Sequence, residues 1–229
     1  MPVVRWRPKP RPFLLSLLVV LIALAATTPA HAQARAARPQ LATPYILSQQ
    51  DKGDVRRAEK YLNEITTLQS RFLQVTSLGR FAEGTIYMSR PGRMRVQYDE
   101  PNPVLIVANN DTITYVDPEY DQASYYPLNE TPAGILLKER IQLLSDDFII
   151  RGVEREASTL RIVLARAEDS LQGQVTLVFS TRPFQLKKWE IIDAQGLLTA
   201  VALQQPRFGG RLAADLFRYD ETRGAGPGN

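Results

Sequence analysis

The feature that most constrains the fold is a succession of short segments in which apolar and polar residues alternate, divided by turn residues. The clearest example is GTIYMSRPGRMRVQYDEPNP, residues 84–103, where Pro91-Gly92 separates two alternating segments. A period of two residues is typical of strands with one buried face, so this stretch predicts a β-hairpin. Roughly ten such segments occur along the chain, which favours a barrel or a strongly curved antiparallel sheet.

One face of this predicted hairpin is apolar except for Arg90. The opposite face carries Arg93 and Arg95, which we expect to face solvent. A buried guanidinium needs acceptors for up to five N–H donors, so the fold has to supply partners for Arg90. The apolar residues in the same row are Ile86, Met88, Met94, Val96 and Tyr98.

Two helices interrupt the strands. Apolar residues recur three or four apart over residues 55–68, with Asp54 as the predicted N-cap. A second helix is predicted to extend to Leu144, with Thr131 as its N-cap. The last predicted strand covers residues 216–219. Several strands are apolar on both faces. One explanation is that the second face lines an apolar cavity or is covered by the helices. The other is that the helices simply cap a filled barrel.

The first 32 residues have the pattern of a secretory signal peptide. A basic head precedes an apolar run of 14 residues, and Ala30-His31-Ala32 predicts cleavage after Ala32. The run is shorter than the roughly 20 residues of a membrane span, and no twin-arginine motif precedes it, so we expect Sec export. The predicted organisation is then a flexible leader at residues 33–52, one domain at residues 53–220 and a disordered tail at residues 221–229.

Composition excludes several kinds of site. The chain has no cysteine, and its one histidine, His31, would leave with the signal peptide. Ser-His-Asp and Cys-His catalysis and the usual zinc and copper sites are therefore excluded. An enzyme acting through carboxylates such as Asp146 and Asp147 is disfavoured, because neighbours on a strand point to opposite faces. We expect no enzyme activity and no cofactor.

The net charge of +4 equals the charge of the four basic residues in the head. Because the mature chain would then be neutral, we expect no nucleic-acid binding.

The order of motifs resembles the periplasmic outer-membrane lipoprotein carrier family (LolA-like) over about residues 59–219. The quoted hairpin carries the resemblance together with FLQ after the first helix, LIVANNDTITYVDPEYDQASYYPL, TPAGILL at the second helix, IIDAQG and the closing GGRLAADLFRY. The chain departs from the family where Asn110-Asp111 replaces a common Asp-Gly turn. It also departs where Met94 and Val96 replace aromatic residues after the turn at Pro91-Gly92.

The resemblance implies an incomplete antiparallel β-barrel with a helical lid over an apolar cavity. It implies a cargo, the acyl chains of a lipoprotein, taken from an inner-membrane lipoprotein-releasing ABC exporter and delivered to an outer-membrane lipoprotein receptor. Because the lipidated receptors of this fold need a cysteine, this chain is expected to be the soluble, monomeric periplasmic shuttle of a Gram-negative cell envelope. The alternative is a periplasmic sensor of lipids or lipoproteins, although such proteins usually carry a further C-terminal domain.

Arg90 matches the functional arginine of this family, in the strand before Pro-Gly. We expect a lid latch in which Arg90 donates to the carbonyls of Leu136 and Leu137. The alternative is that Arg90 extends to the rim and pairs with an acidic residue such as Asp99, Glu100 or Asp117. The expected acyl-chain cavity residues, any of which could instead be ordinary core, are Ile86, Met88, Met94, Val96, Tyr98 and Ile135.

Overall fold

The computed structural model describes residues 45–101, 103–118, 122–168 and 173–219. The predicted signal peptide, residues 33–44 of the predicted leader and the predicted tail lie outside them. The strands are β1 (Thr67–Thr76), β2 (Phe81–Ser89), β3 (Arg93–Tyr98), β4 (Leu105–Asn109), β5 (Thr112–Asp117), β6 (Gln122–Pro127), β7 (Phe148–Arg155), β8 (Thr159–Arg166), β9 (Gly173–Thr181), β10 (Phe184–Asp193) and β11 (Leu198–Phe208). The helices are α1 (Gln49–Glu64), α2 (Ala133–Leu137) and two 3-10 helices, Leu128–Glu130 and Ala214–Phe217.

The eleven strands form one antiparallel sheet in the order β6-β5-β4-β3-β2-β1-β11-β10-β9-β8-β7. Each half of the chain is a meander, and the halves join where β1 pairs with β11. Strands β6 and β7 are the two edges, so the sheet is not closed. The predicted fold class, mainly β with an open curved sheet and a few helices, is confirmed.

One face of the sheet holds the core. Phe72 on β1 and Ile86 on β2 belong to the same buried cluster as Ile162 on β8, together with residues of both α-helices. In a flat sheet β2 and β8 would lie about 24 Å apart, since neighbouring strands are about 4.8 Å apart. A common core therefore requires strong curvature, with the helices on the concave side. No helix in the described residues is long and apolar enough to cross a membrane.

Helix α1 begins earlier than predicted, and the predicted N-cap Asp54 is wrong. Ser48 caps the helix in a capping box: the Asp51 N–H donates to Ser48 Oγ (3.1 Å), and the Ser48 N–H donates to Asp51 Oδ2 (2.8 Å). Residues 49–52, assigned to the leader from the sequence, are therefore helical.

The second helix is much shorter than predicted. Helix α2 ends at Leu137, and the chain up to Leu144 is irregular although Ile141 and Leu143 are buried. The apolar spacing in this segment therefore reflects burial alone. Side chains of other elements bond its backbone in place of helical hydrogen bonds, as described below.

The predicted last strand is also wrong, because residues 214–217 form a 3-10 helix. This helix lies against the outer face of β3 and β4. It buries Arg95, which is 8% exposed and donates from Nη1 to the Leu216 carbonyl (3.3 Å). The expectation that Arg95 faces solvent is therefore wrong, since a distant segment covers a face that the local pattern marks as polar. Burial lowers the pKa of the Arg95 guanidinium.

Helix α1 is attached to the edge strand β7 by ion pairs. Arg155, at the end of β7, donates to Asp51 Oδ1 (2.7 Å) and to Asp54 Oδ2 (2.6 Å). Asp51 is 4% exposed. The hydrogen bond from Arg155 holds the pKa of the Asp51 carboxyl far below its usual range, against the opposing effect of burial.

We predict that Asp51→Asn lowers the free energy of unfolding by about 1.5–3 kcal/mol at pH 7, the usual value of a hydrogen bond to a charged group. Because the folded-state pKa is depressed, this stabilisation is complete above the unfolded pKa near about 4 and is lost as the pH falls below it. Denaturant unfolding between pH 7 and pH 2.5 should show the two proteins converging in stability below about pH 4. A constant difference over that range would contradict the assignment.

Candidate functional site

A hollow of about 300 Å³ lies between the concave face of the sheet and the helices. Its walls come from both halves of the sheet, and its roof comes from α1, α2 and the chain after α2. Nearly all of its lining is apolar, so it suits hydrocarbon better than a polar ligand. The predicted residues Ile86, Met88, Met94, Val96, Tyr98 and Ile135 all line it.

The wall opposite the β2–β3 hairpin is formed by β9, β10 and β11, and sequence reasoning missed it. Their alternating pattern predicts strands, but only the pairing of β1 with β11 places them across the hollow. Pairing between the two ends of a domain leaves no local signal in a single sequence. The residues of this wall are Val175, Leu177, Leu186, Trp189, Ile191, Thr199 and Val201.

Arg90 lies directly after β2 and reaches the roof of the hollow. Its Nε and Nη2 both donate to the Lys138 carbonyl (3.1 and 2.6 Å), and Nη2 also donates to the Glu139 carbonyl (3.1 Å). These acceptors belong to the irregular chain after α2. The guanidinium therefore holds this part of the roof by hydrogen bonds.

The same guanidinium also bonds the end of α1. Nη1 donates to the carbonyl of Leu62 and to that of Ile65 (3.2 Å), and Nη2 donates to Asn63 Oδ1 (3.3 Å). The Leu62 carbonyl also accepts from the N–H of the C-cap residue Ile65 (3.3 Å), so Arg90 adds a second bond there and a bond to the Ile65 carbonyl just beyond α1. Its partial burial lowers the pKa of Arg90, which still remains charged at physiological pH.

The predicted acceptors for Arg90 need correction. In the chain around α2, the carbonyls that accept from Arg90 are those of Lys138 and Glu139, not those of Leu136 and Leu137. The Leu137 carbonyl instead accepts from the Gly92 N–H (3.0 Å). Because α2 ends at Leu137, the chain turns and presents the next two carbonyls to the guanidinium. The Leu136 side chain lines the hollow.

The alternative in which Arg90 pairs with an acidic side chain at the rim is not what the structure shows. The partners of Arg90 are backbone carbonyls and one side-chain amide oxygen. Asp99 accepts from Arg71 (3.0 Å) instead.

Two residues of α1 that sequence reasoning missed also hold the roof. Asn63 Nδ2 donates to the Ile141 carbonyl (2.9 Å), and the Ile141 N–H donates to Asn63 Oδ1 (2.9 Å). Glu59 Oε1 accepts from the Leu144 N–H (3.0 Å). We call residues 131–144 the lid segment. Asn63 and Glu59 replace the helical hydrogen bonds that its second half lacks.

Helix α1 is fixed to the sheet in a different way. The Tyr61 ring meets the rings of Phe179 and Phe184 edge to face, at centroid distances of 6.0 and 5.6 Å. Arg155 holds the first turn of the helix, as described above. Aromatic contacts and ion pairs thus fix α1 at both ends, whereas polar bonds to Arg90, Asn63 and Glu59 hold the second half of the lid segment.

The geometry offers little for catalysis. The described residues contain no group of three or more acidic, histidine or cysteine side chains that could hold a metal ion. Of the two carboxylates considered from the sequence, Asp147 pairs with Lys138 Nζ (2.6 Å), which lowers the pKa of the carboxyl. A lowered pKa is the opposite of what a general acid needs.

Comparison with known proteins agrees with this geometry. The family model described as "Outer membrane lipoprotein carrier protein LolA" matches residues 63–220. The outer-membrane lipoprotein carrier protein of Pseudomonas aeruginosa is 29% identical over 183 residues, which cover 76% of this chain and 86% of that protein. The carrier protein of Chromohalobacter salexigens is 25% identical over 194 residues, covering 81% of this chain and 90% of that protein.

Solved structures include a LolA superfamily protein from Nitrosomonas europaea, with a TM-score of 0.44 and 12% identity over 72% of this chain and 97% of that one. A conserved protein from Thermus thermophilus gives a TM-score of 0.46 and 14% identity over 75% of this chain and 95% of that one. The match of the family model covers more than half of the chain. The chain therefore belongs to the LolA outer membrane lipoprotein carrier protein family.

Proposed function

We propose that this protein is a periplasmic carrier that shields the acyl chains of lipoproteins in its hollow. It receives them after their release from the inner membrane by an ABC exporter and passes them to an outer-membrane receptor. The protein reaches the periplasm by Sec export and acts as a monomer. The observation that carries the proposal is an apolar hollow with a partly buried guanidinium, that of Arg90, bonded to the backbone of its roof.

The size of the hollow supports a lid that moves. A volume of about 300 Å³ is at the lower limit of pockets that hold drug-sized ligands. The long acyl chains of a lipoprotein need more room, so the hollow has to widen as it loads. The lid segment is the part that moves, because α1 is fixed by aromatic contacts and ion pairs.

The energies involved suit a carrier that must also release its cargo. Burying an acyl chain contributes about 0.8 kcal/mol per CH₂, on the order of 10 kcal/mol for a chain. Hydrogen bonds to a charged group contribute about 1.5–3 kcal/mol each, so the partly buried latch opposes loading by several kcal/mol. Because opening the lid consumes part of the burial energy, the net affinity stays low enough for transfer.

We predict that lipoproteins co-purify with the protein when it is isolated from the periplasm. Mass spectrometry of the bound material should identify acylated lipoproteins, since the hollow is apolar and the chain belongs to a carrier family. Recovery of phospholipid alone, or of no lipid, would contradict a lipoprotein cargo.

We predict that Arg90→Leu still folds and loads a diacylated lipopeptide but releases it at least about tenfold more slowly to receptor protein. Without the guanidinium the lid has less tendency to close, so bound cargo is held more tightly; tenfold corresponds to about 1.4 kcal/mol. Transfer can be followed by fluorescence of a labelled lipopeptide. The control is Arg207→Leu, which removes an exposed arginine of β11. Equal transfer rates for the wild type and both variants would exclude the latch.

We predict that Asn63→Ala loosens the lid segment without loosening α1. Losing both bonds to Ile141 should raise the exchange rate of the Ile141 amide hydrogen about tenfold or more. Exchange of the buried amide of Ala58, in the middle of α1, should stay unchanged. A uniform increase across the domain would show that Asn63 stabilises the whole fold and not the lid.

A further inference from the structure

The hollow has polar groups at both ends. Arg90 follows the last residue of β2. Tyr98 on β3 lies opposite Gly84, which is near the other end of β2. Six residues of extended strand separate these positions, which is about 20 Å. Gln74 on β1 pairs with Ala82 and lies at the same end as Tyr98. A second polar position therefore exists at the far end of the hollow from the latch.

This position is built from two side chains that lie on either side of β2. Tyr98 donates its hydroxyl hydrogen to Gln74 Oε1 at 2.8 Å. Both residues line the hollow. Burial raises the pKa of Tyr98 to about 12, so the hydroxyl keeps its proton and remains a donor.

The ring of Tyr98 is held in place by its neighbours. It meets the ring of Phe72 edge to face at a centroid distance of 5.2 Å. Gly84 makes this contact possible, because a Cβ atom there would lie 2.7 Å from the Phe72 ring. The hydroxyl is therefore held beside Gln74 by packing, which is the arrangement of a preformed site and not of a mobile surface tyrosine.

The pair leaves hydrogen-bonding capacity beside the hollow, because Gln74 lines it. The Gln74 Nε2 group has two N–H donors and no acceptor among the described residues of this chain. A ligand that fills the hollow covers these donors, and covering them without an acceptor is unfavourable, so the site favours a ligand that brings one. A neutral acceptor suits it best, since burying a carboxylate among the apolar residues of the hollow is costly.

We propose that Gln74 and Tyr98 form a subsite for the ester carbonyl of an acyl chain. An ester carbonyl accepts hydrogen bonds and donates none, so it matches the free N–H groups of Gln74. The hydrocarbon beyond it then extends along β2 through the apolar part of the hollow toward Arg90. This inference rests on the proposed function, in which the hollow takes acyl chains, and adds which atom of the chain is recognised.

The test compares lipids that differ only in their carbonyl groups. One pair is a dipalmitoyl lipopeptide and its dihexadecyl ether analogue, and the other is dipalmitoylglycerol and dihexadecylglycerol. Each competes with a fluorescent hydrophobic probe for purified wild-type protein. One hydrogen bond predicts a preference of about three- to tenfold for the ester. Preference for the ester in both pairs means that the site recognises any acyl ester. Preference in the lipopeptide pair alone means that the site recognises the ester only in a lipoprotein.

Two variants test the residues. Gln74→Met should reduce the preference for the ester to about onefold, because it removes the N–H donors. Tyr98→Phe keeps those donors but removes the hydroxyl that positions Gln74, so it should lower the preference by a smaller factor. Tyr87→Phe, which removes a hydroxyl from the outer face of β2, is the matched control and should keep the preference. Infrared spectra with ¹³C-labelled carbonyls provide an independent readout, because the ester band should shift to lower frequency in the wild type and not in Gln74→Met.

The possible outcomes distinguish failure of the carbonyl subsite from failure of the proposed carrier function. Equal binding of ester and ether by the wild type would overturn the carbonyl subsite and leave the carrier function standing. An ester preference that survives in Gln74→Met would place the recognition elsewhere and overturn it too. Failure of every lipid to displace the probe would contradict the proposed function and the inference together.

Discussion

The guanidinium of Arg90 is the interaction on which the candidate site depends. A charged group at the roof of an apolar hollow is stable there only with acceptors for its donors. The fold supplies them from two elements that are far apart in sequence, the end of α1 and the start of the irregular chain after α2. One side chain thus joins the roof to the sheet by hydrogen bonds to both parts of the roof.

The two parts of the roof, α1 and the lid segment, are held by different kinds of contact. Helix α1 packs against aromatic rings of the sheet, and two of its own carboxylates bind Arg155 of β7. Separating such contacts is costly. The second half of the lid segment is held through backbone groups that α2, by ending at Leu137, leaves free. A longer helix would have satisfied the Lys138 and Glu139 carbonyls internally and left Arg90 with acceptors at the end of α1 alone.

The sequence predicted what depends on local pattern. Alternation identified the strands and placed Ile86, Met88, Met94, Val96 and Tyr98 on the face that lines the hollow. It failed where contacts between distant residues decide. Arg95 is buried by the 3-10 helix near the end of the domain, and the opposite wall of the hollow depends on the pairing of β1 with β11. Asn63 and Glu59 act through backbone atoms of a segment about 80 residues away, for which a single sequence holds no signal.

The most direct test of the account measures the lid itself. Because the chain has no cysteine, Lys60→Cys on α1 and Arg140→Cys on the lid segment would place two spin labels at exposed positions without side reactions. Pulsed electron–electron double resonance then reports the distance between the two spin labels with and without a diacylated lipopeptide. The account predicts a short, narrow distribution for the empty protein and a longer one with cargo. An identical distribution in the two states, with cargo bound, would contradict a moving lid.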